Sequence, residues 1–119
     1  MNYGNICYLE IPAADLAASA RFYAAAFGWK VRTRGDGQQA FDDSTGAVSG
    51  TWVTGRPPTR EAGILTYVMV ESIEQTARKI TAAGGGIVTP ATALHQPGEA
   101  YATFRDPAGN LLGLYQPGQ

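Results

Sequence analysis

The stretch LEIPAADLAASARFYAAAFGWKV, residues 9–31, decides the fold because it joins the pattern of a strand to the pattern of a helix. Residues just upstream extend the alternation, so we predict a strand over Ile6–Ile11 that Pro12 ends. Tyr8 and Glu10 lie on one face of this strand. The other face is expected to be buried against a helix and consists of Cys7, Leu9 and Ile11.

The helix follows directly. Asp15 is a favourable N-cap residue, and the apolar spacing after it predicts a helix over Leu16–Phe27. Gly28 stands at the C′ position, where glycine is favoured, and ends the helix.

The same order of elements occurs twice along the chain. In the first half, the helix is followed by predicted strands at 29–34, 39–42 and 47–54. In the second half, Ser72 with Gln75 three residues later forms a capping-box pattern. The predicted elements there are a strand at 64–70, a helix at 73–83 and strands at 87–94, 100–105 and 111–115. Each half has the order βαβββ, and such a repeat determines the architecture.

One βαβββ unit is too small to bury the face of its own sheet. We therefore predict an α+β fold in which paired βαβββ modules form a curved mixed sheet with the helices on its outer face. The concave inner face is then a natural place for a small ligand. The predicted organisation is a single domain over 1–119, with a first module at about 4–55, a linker at 56–62 and a second module at about 63–117.

The composition is that of an ordinary globular protein, with 45% hydrophobic and 16% charged residues among 119. The net charge of −1 disfavours nucleic acid as a partner. No apolar run is long enough to cross a bilayer, and the N-terminus lacks the pattern of a signal peptide. Cys7 is the only cysteine, so no disulfide framework is expected. We expect a cytoplasmic protein with no membrane partner.

Three segments within the repeat carry a family resemblance. They are the stretch at 9–31, VMVESIEQTARKITAAGG at 68–85, and ATFRDPAGNLLGLYQP at 102–117, which contains an Asp-Pro-x-Gly-Asn motif. The chain resembles the vicinal oxygen chelate superfamily, which includes glyoxalase I, extradiol dioxygenases, fosfomycin resistance enzymes and bleomycin resistance proteins. The resemblance covers nearly the whole chain and implies the glyoxalase/bleomycin resistance/dihydroxybiphenyl dioxygenase fold. It does not by itself imply an activity.

Metal-dependent members of that superfamily carry four metal ligands, one on each central strand. By resemblance, the corresponding positions here are Tyr8, the strand at 47–54, Leu65 and Gly113. That strand contains no Asp, Glu or His, and a phenol, a leucine and a glycine are not usual ligands of a divalent metal. His95 is the only histidine, which excludes a histidine-rich site elsewhere. We therefore predict a metal-free member with no cofactor.

Two side chains are candidates for acid–base catalysis. Glu10 is predicted to face the concave side, where partial burial would suit its carboxylate to act as a general base. The alternative is a structural ion pair, for example with Arg105. His95 lies just before the loop Gln96-Pro97-Gly98, where it is either a proton shuttle at the mouth of the pocket or a solvated surface residue.

Strand parity predicts an aromatic lining for the concave face. The predicted ligand-binding residues are Tyr8, Glu10, Leu65, Tyr67, Met69, Leu111 and Tyr115. Such a lining suits a planar or cyclic organic molecule. The same side chains could instead form a collapsed groove or the seam of a dimer. Trp52, on the last strand of the first half, is expected either to stack on the ligand or to pack in an interface.

The sequence thus predicts a glyoxalase/bleomycin resistance-like protein that binds a small organic molecule in the concave sheet without a conventional metal centre. A metal-independent isomerase or lyase with Glu10 or His95 as base is an alternative, and a metalloenzyme with unusual ligands is a second. Whether the protein is an enzyme is left open. The resemblance to single-domain relatives also implies a homodimer, with or without exchange of modules between protomers.

Overall fold

The computed structural model describes residues 3–61 and 63–119. Both halves have the predicted order βαβββ. The elements are β1 (Tyr8–Pro12), α1 (Leu16–Phe27), β2 (Lys30–Thr33), β3 (Gln39–Asp42), β4 (Ser49–Val53), β5 (Tyr67–Met69), α2 (Ile73–Ala82), β6 (Gly86–Ala93), β7 (Ala100–Arg105) and β8 (Leu111–Gln116).

Each module builds its own four-stranded mixed sheet. The strand order is β1-β4-β3-β2 in the first sheet and β5-β8-β7-β6 in the second. In both, the opening strand pairs in parallel with the last strand of its module, and the other pairs are antiparallel. Both helices contribute buried side chains to one hydrophobic core. This arrangement confirms the predicted fold of paired βαβββ modules with helices outside.

The helix ends follow from the local sequence. The Asp15 carboxylate accepts a hydrogen bond from the backbone N–H of Ala18 at 3.1 Å, and Gly28 ends α1 with a left-handed φ of 71°. The Ser72 hydroxyl accepts a hydrogen bond from the backbone N–H of Gln75 at 3.1 Å. These contacts satisfy donors that a helix cannot pair internally.

Two predictions about the strands were wrong in detail. Cys7 lies before β1 begins and is exposed, so it is not the buried helix-facing residue that the alternation suggested. β5 is only three residues long, because its ladder with β8 covers Tyr67–Met69 alone. The strand predicted at 87–94 corresponds to β6, whose register with β7 shifts around Pro90 because proline has no N–H to donate to the ladder.

The core is a continuous aromatic cluster that includes both modules. Phe22 and Tyr23 of α1 are fully buried, and the Phe22 ring lies 6.1 Å from that of Phe104 on β7. Burying one such side chain contributes about 1.5–3 kcal/mol. The two modules therefore share one core rather than having one each.

Trp52 belongs to this core and not to the inner face of its sheet. It is 2% exposed, and its ring centroid lies 4.9 Å from that of Phe41 and 6.1 Å from that of Tyr23. The physical reason is strand parity, because Trp52 alternates with Thr51 and shares the helix-facing side of its register partner Ile11. The prediction that Trp52 binds ligand or lies in an interface is therefore wrong.

A buried polar cluster also joins the two modules. Asp106 accepts a hydrogen bond from the hydroxyl of Tyr23 at 2.7 Å and from the side-chain amide of Asn110 at 2.9 Å. The same amide donates to the carbonyl of Pro12 at 2.7 Å, and its oxygen accepts from the backbone N–H of Thr59 at 2.8 Å. Burial, reinforced by the negative charge of Asp106, raises the pKa of the Tyr23 phenol well above 10.0.

The repeat extends to atomic detail in the turns before β4 and β8. In each turn an aspartate, Asp43 or Asp106, accepts hydrogen bonds from the backbone N–H groups two and four residues later. Gly46 and Gly109 occupy the fourth position with φ of 77° and 95°, a conformation that favours glycine. Only Asp106 is buried, and only the second turn reaches across to the other module.

Neither of the two helices found within residues 3–61 and 63–119 has the length and apolar character needed to cross a bilayer.

Candidate functional site

The inner face of the second sheet, opposite the helices, carries an open groove of about 540 Å³. Its lining, which we call the tyrosine groove, consists of Tyr67, Met69, Leu94, Tyr101 and Tyr115. The register explains why the strand residues meet. Met69 of β5 is the partner of Tyr115 on β8, which is in turn the partner of Tyr101 on β7. Directly opposed side chains lie about 5 Å apart at Cβ, so these three form one row.

Gly113 makes room for the fourth strand residue of the groove. It is the register partner of Tyr67. A Cβ atom added to Gly113 would lie 2.5 Å from two carbons of the Tyr67 ring, which is closer than real side chains approach. The ring of Tyr67 therefore fills the space above the glycine. Gly113, one of the four positions that by resemblance correspond to metal ligands, is therefore covered by a phenol ring.

A charged residue, Glu99, borders the groove. The Glu99 carboxylate accepts a hydrogen bond from the Tyr115 hydroxyl at 2.6 Å and from the backbone N–H groups of His95 and Gln96 at 3.1 Å each. These donors, with the Tyr115 hydroxyl foremost, lower the pKa of the Glu99 carboxyl. The same bond raises the pKa of Tyr115. At neutral pH, Glu99 is an anion and Tyr115 is neutral.

The inner face of the first sheet has a different chemistry. The Arg34 guanidinium donates to the Tyr8 hydroxyl at 3.0 Å and pairs with Asp36 at 2.7 Å. Arg32 pairs with Asp42 at 2.9 Å. These contacts make the face around Tyr8 polar and charged. Tyr8 does not line the tyrosine groove, so the predicted set of tyrosines is divided between the two sheets.

Glu10 lies in a different groove, which also contains Leu111. Its carboxylate pairs with Arg56 at 3.0 Å, and the side chains of the pair are 47% and 50% exposed respectively. The partner is thus a linker arginine and not Arg105, the partner that the sequence suggested. Arg105 instead donates to the backbone carbonyls of Gly109 and Arg60, at 3.0 and 2.9 Å.

The remaining predicted residues lie outside the tyrosine groove. His95 is exposed in the loop after β6 and lines a surface depression together with Glu99. Leu65 is partly buried and precedes β5. Glu10 and His95 therefore belong to different grooves and do not form a single acid–base pair.

Three residues that the sequence reasoning did not single out complete the site. Tyr101 was detectable, because it occupies an alternating position on a correctly predicted strand. Leu94 and Glu99 lie on either side of a loop and meet through the bond from the Leu94 N–H to the Glu99 carbonyl, 2.9 Å long. No local pattern predicts that closure.

The side chains do not fit a divalent metal centre of the expected type. Residues 3–61 and 63–119 contain no group of three His, Cys, Asp or Glu side chains close enough to hold an ion. Such a centre needs about three ligands of this kind. The four positions implied by resemblance are Tyr8, which is bonded to Arg34; β4, which has no acid or histidine; Leu65; and Gly113, which lies under Tyr67.

The sequence model of the glyoxalase/bleomycin resistance protein/dioxygenase superfamily matches residues 5–114. The chain belongs to this superfamily. A "Glyoxylase-like domain-containing protein" from Didymella fabae is 26% identical, over 94% of this chain and 93% of that protein.

Solved structures share the fold at low sequence identity. The antibiotic-binding protein TnmS3 from Streptomyces is 21% identical with a TM-score of 0.68, covering 98% of both chains. The genomically encoded fosfomycin resistance protein FosX from Listeria monocytogenes is 15% identical with a TM-score of 0.76, covering 98% of this chain and 93% of that one. At these identities, the likeness shows the superfamily fold and no specific activity.

Proposed function

We propose that this superfamily member binds a small organic molecule with an aromatic or other flat apolar ring in the tyrosine groove. The observation that carries the proposal is the convergence of three tyrosines, a methionine and a leucine on one open face of the second sheet. Aromatic side chains contribute large apolar contact area and also offer a polar tip. TnmS3, whose fold is similar, is described as an antibiotic-binding protein, which agrees with a binding role.

The proposed binding needs no metal. The Tyr67 ring occupies the space above Gly113, and the described residues contain no group of three His, Cys, Asp or Glu side chains that could hold an ion. A ligand would therefore be held by ring contacts and phenol hydroxyls rather than by coordination to an ion. This part of the proposal is tested by elemental analysis of protein purified without chelator, followed by thermal melts with Mn²⁺, Ni²⁺, Co²⁺, Fe²⁺ and Zn²⁺.

We further propose that two copies of the chain associate through their inner faces. Several large apolar side chains are open to solvent there: Met69 is 68% exposed, Tyr67 47% and Tyr8 46%. Exposed apolar surface of this kind is typical of interaction sites. A second copy would narrow the open groove into a closed pocket. Light scattering coupled to size exclusion should give a mass of two chains.

The binding proposal is tested with a library of planar aromatic compounds and a thermal-shift readout. A ligand that binds only the native state raises the melting temperature in proportion to its affinity. Tyr67→Leu should abolish the shift caused by any hit. Tyr3→Leu is the matched control, because Tyr3 is 93% exposed and does not line the groove. Equal shifts in the two variants would place the ligand elsewhere and overturn the proposal.

A metal that binds stoichiometrically and stabilises the fold would overturn the metal-free part of the proposal. Glu10 would then be the first residue to replace, because its carboxylate lies on the inner side of β1. A protein that binds neither metals nor any aromatic compound, and that is dimeric, would instead indicate that the inner faces serve only for association.

A further inference from the structure

We infer that the ligand of the tyrosine groove is an organic cation, with its positive charge on or beside an aromatic ring. The inference rests on the proposed function and specifies the class of ligand. It is carried by the position of the Glu99 carboxylate, which is held against the hydroxyl of a groove residue, Tyr115, at 2.6 Å.

The charge in the groove has one sign. None of the five lining residues is basic or acidic. Glu99 is the ionised group in contact with them, and among the described residues it forms no salt bridge. Its three donors are a phenol and two backbone N–H groups, which are neutral. Its negative charge is therefore hydrogen-bonded but not neutralised.

The basic side chains around Glu99 do not neutralise its negative charge. His95 contacts the carboxylate through its backbone N–H, and the residue is exposed to solvent. Arg105, on the strand that carries Tyr101, directs its guanidinium to the carbonyls of Gly109 and Arg60. The groove consequently has an anion hydrogen-bonded to one of its tyrosines and no cation among its lining residues.

The tyrosine rings reinforce the preference for a cation. The face of an aromatic ring is electron-rich, so a cation within about 6 Å of it is attracted. Tyr67, Tyr101 and Tyr115 offer three such rings on one surface. A neutral ring gains only the apolar contact, and an anion is repelled by both the ring faces and Glu99.

The inner face of the first sheet does not share this preference for a cation. On the first sheet, Arg32 and Arg34 are each already paired with an aspartate, and Lys30 of the same strand adds a positive charge beside Asp42. Glu99, which forms no salt bridge among the described residues, borders the inner face of the second sheet. The cation should therefore depend on Glu99 and not on the acids around Tyr8.

The test uses three probes of the same ring size: 1-methylquinolinium, 1-methylnaphthalene and 1-naphthoate. Binding to the full-length protein is measured by NMR titration at pH 7.5 and low salt. We expect the cation to bind about fivefold more tightly than the neutral isostere, the increment typical of an exposed cation–π contact with a nearby carboxylate, and the anion to bind most weakly.

Glu99→Gln then tests the cause. Glutamine keeps a carbonyl oxygen that can accept from the loop N–H groups while removing the charge, and the cation-to-neutral affinity ratio should fall to about twofold or less. Glu74→Gln is the matched control, because Glu74 lies on α2 and pairs with Arg78. That variant should keep the full ratio.

The outcomes separate the two proposals. If the cation and the neutral probe bind equally to the unaltered protein, the charge inference is overturned and the binding groove stands. The inference also fails if Glu99→Gln, with an unchanged melting temperature, keeps the full ratio. If no probe binds, and Tyr67→Leu changes nothing, both the groove and its charge preference are refuted.

Discussion

The contact between Tyr67 and Gly113 can be tested by a double-mutant cycle. Gly113→Ala places a methyl group 2.5 Å from two carbons of the Tyr67 ring, so either the ring or the strand must move. Overpacking of this kind costs about 1–3 kcal/mol. Gly113 does not have a positive φ, so alanine fits its backbone and should gain about 0.4–1 kcal/mol through the unfolded state.

Gly113→Ala should therefore change the free energy of unfolding differently in the presence and in the absence of the Tyr67 ring. With Tyr67 present, Gly113→Ala should leave the free energy of unfolding between unchanged and about 2.5 kcal/mol lower, the difference between the overpacking cost and the backbone gain. In the Tyr67→Ala background the ring is gone, and the same change should stabilise by about 0.4–1 kcal/mol. The coupling energy is then about 1–3 kcal/mol.

Urea denaturation of the four proteins, at one fixed protein concentration because of the proposed dimer, measures this coupling. All three variants should have the same far-ultraviolet circular dichroism spectrum as the parent. A coupling energy within about 0.3 kcal/mol of zero would refute the reasoning, because distant independent sites add to within that amount. It would mean that the Tyr67 ring does not rest over Gly113 in solution.

Three further predictions concern stability. Tyr23→Phe removes the hydroxyl that donates to Asp106 and should lower the free energy of unfolding by about 1.5–3 kcal/mol in urea denaturation. Because the pKa of Tyr23 is raised in the folded state, the parent should also lose stability as pH rises above about 10, and the variant should lose less. Gly85→Ala places a methyl group 2.6 Å from a β7 carbonyl and should lower the melting temperature, whereas Gly86→Ala, with open space around it, should not; equal effects would contradict this packing. The pKa of the Glu99 carboxyl is lowered in the folded state, so its ionised form contributes stability above its unfolded pKa near 4.5, and this contribution is lost as pH falls through the lower folded value. Glu99→Gln should therefore lose less stability on acidification than the parent. An equal loss in the two proteins would argue against the Tyr115 bond.

Much of the fold could be predicted because its signals are local. The helix at Leu16–Phe27 has an N-cap aspartate, an apolar stripe and a terminal glycine, and its bounds were predicted correctly. The strands Gln39–Asp42 and Ala100–Arg105 are also correct, because turn residues stand on both sides. β5 was overestimated, since the length of an edge strand is set by its partner and not by its own alternation.

The site was less predictable because it depends on which side of each strand faces the helices and on how loops close. Parity correctly placed Tyr67, Met69 and Tyr115 on the inner face. Parity could also have excluded Trp52 from the inner face, because the register places it on the same side as the buried Ile11. The roles of Arg56 and Glu99 depend on contacts across loops, for which the sequence contains no periodic signal.

Because of the turn at Asp106, the first module does not make all the contacts of the second. The equivalent aspartate in the first module, Asp43, makes the same local bonds but holds nothing beyond its own turn. A chain assembled from two first modules would lack the connection from Asn110 to Pro12. The repeat is thus symmetric in outline but not in its contacts, because the turn that reaches across to the other module belongs to the second module.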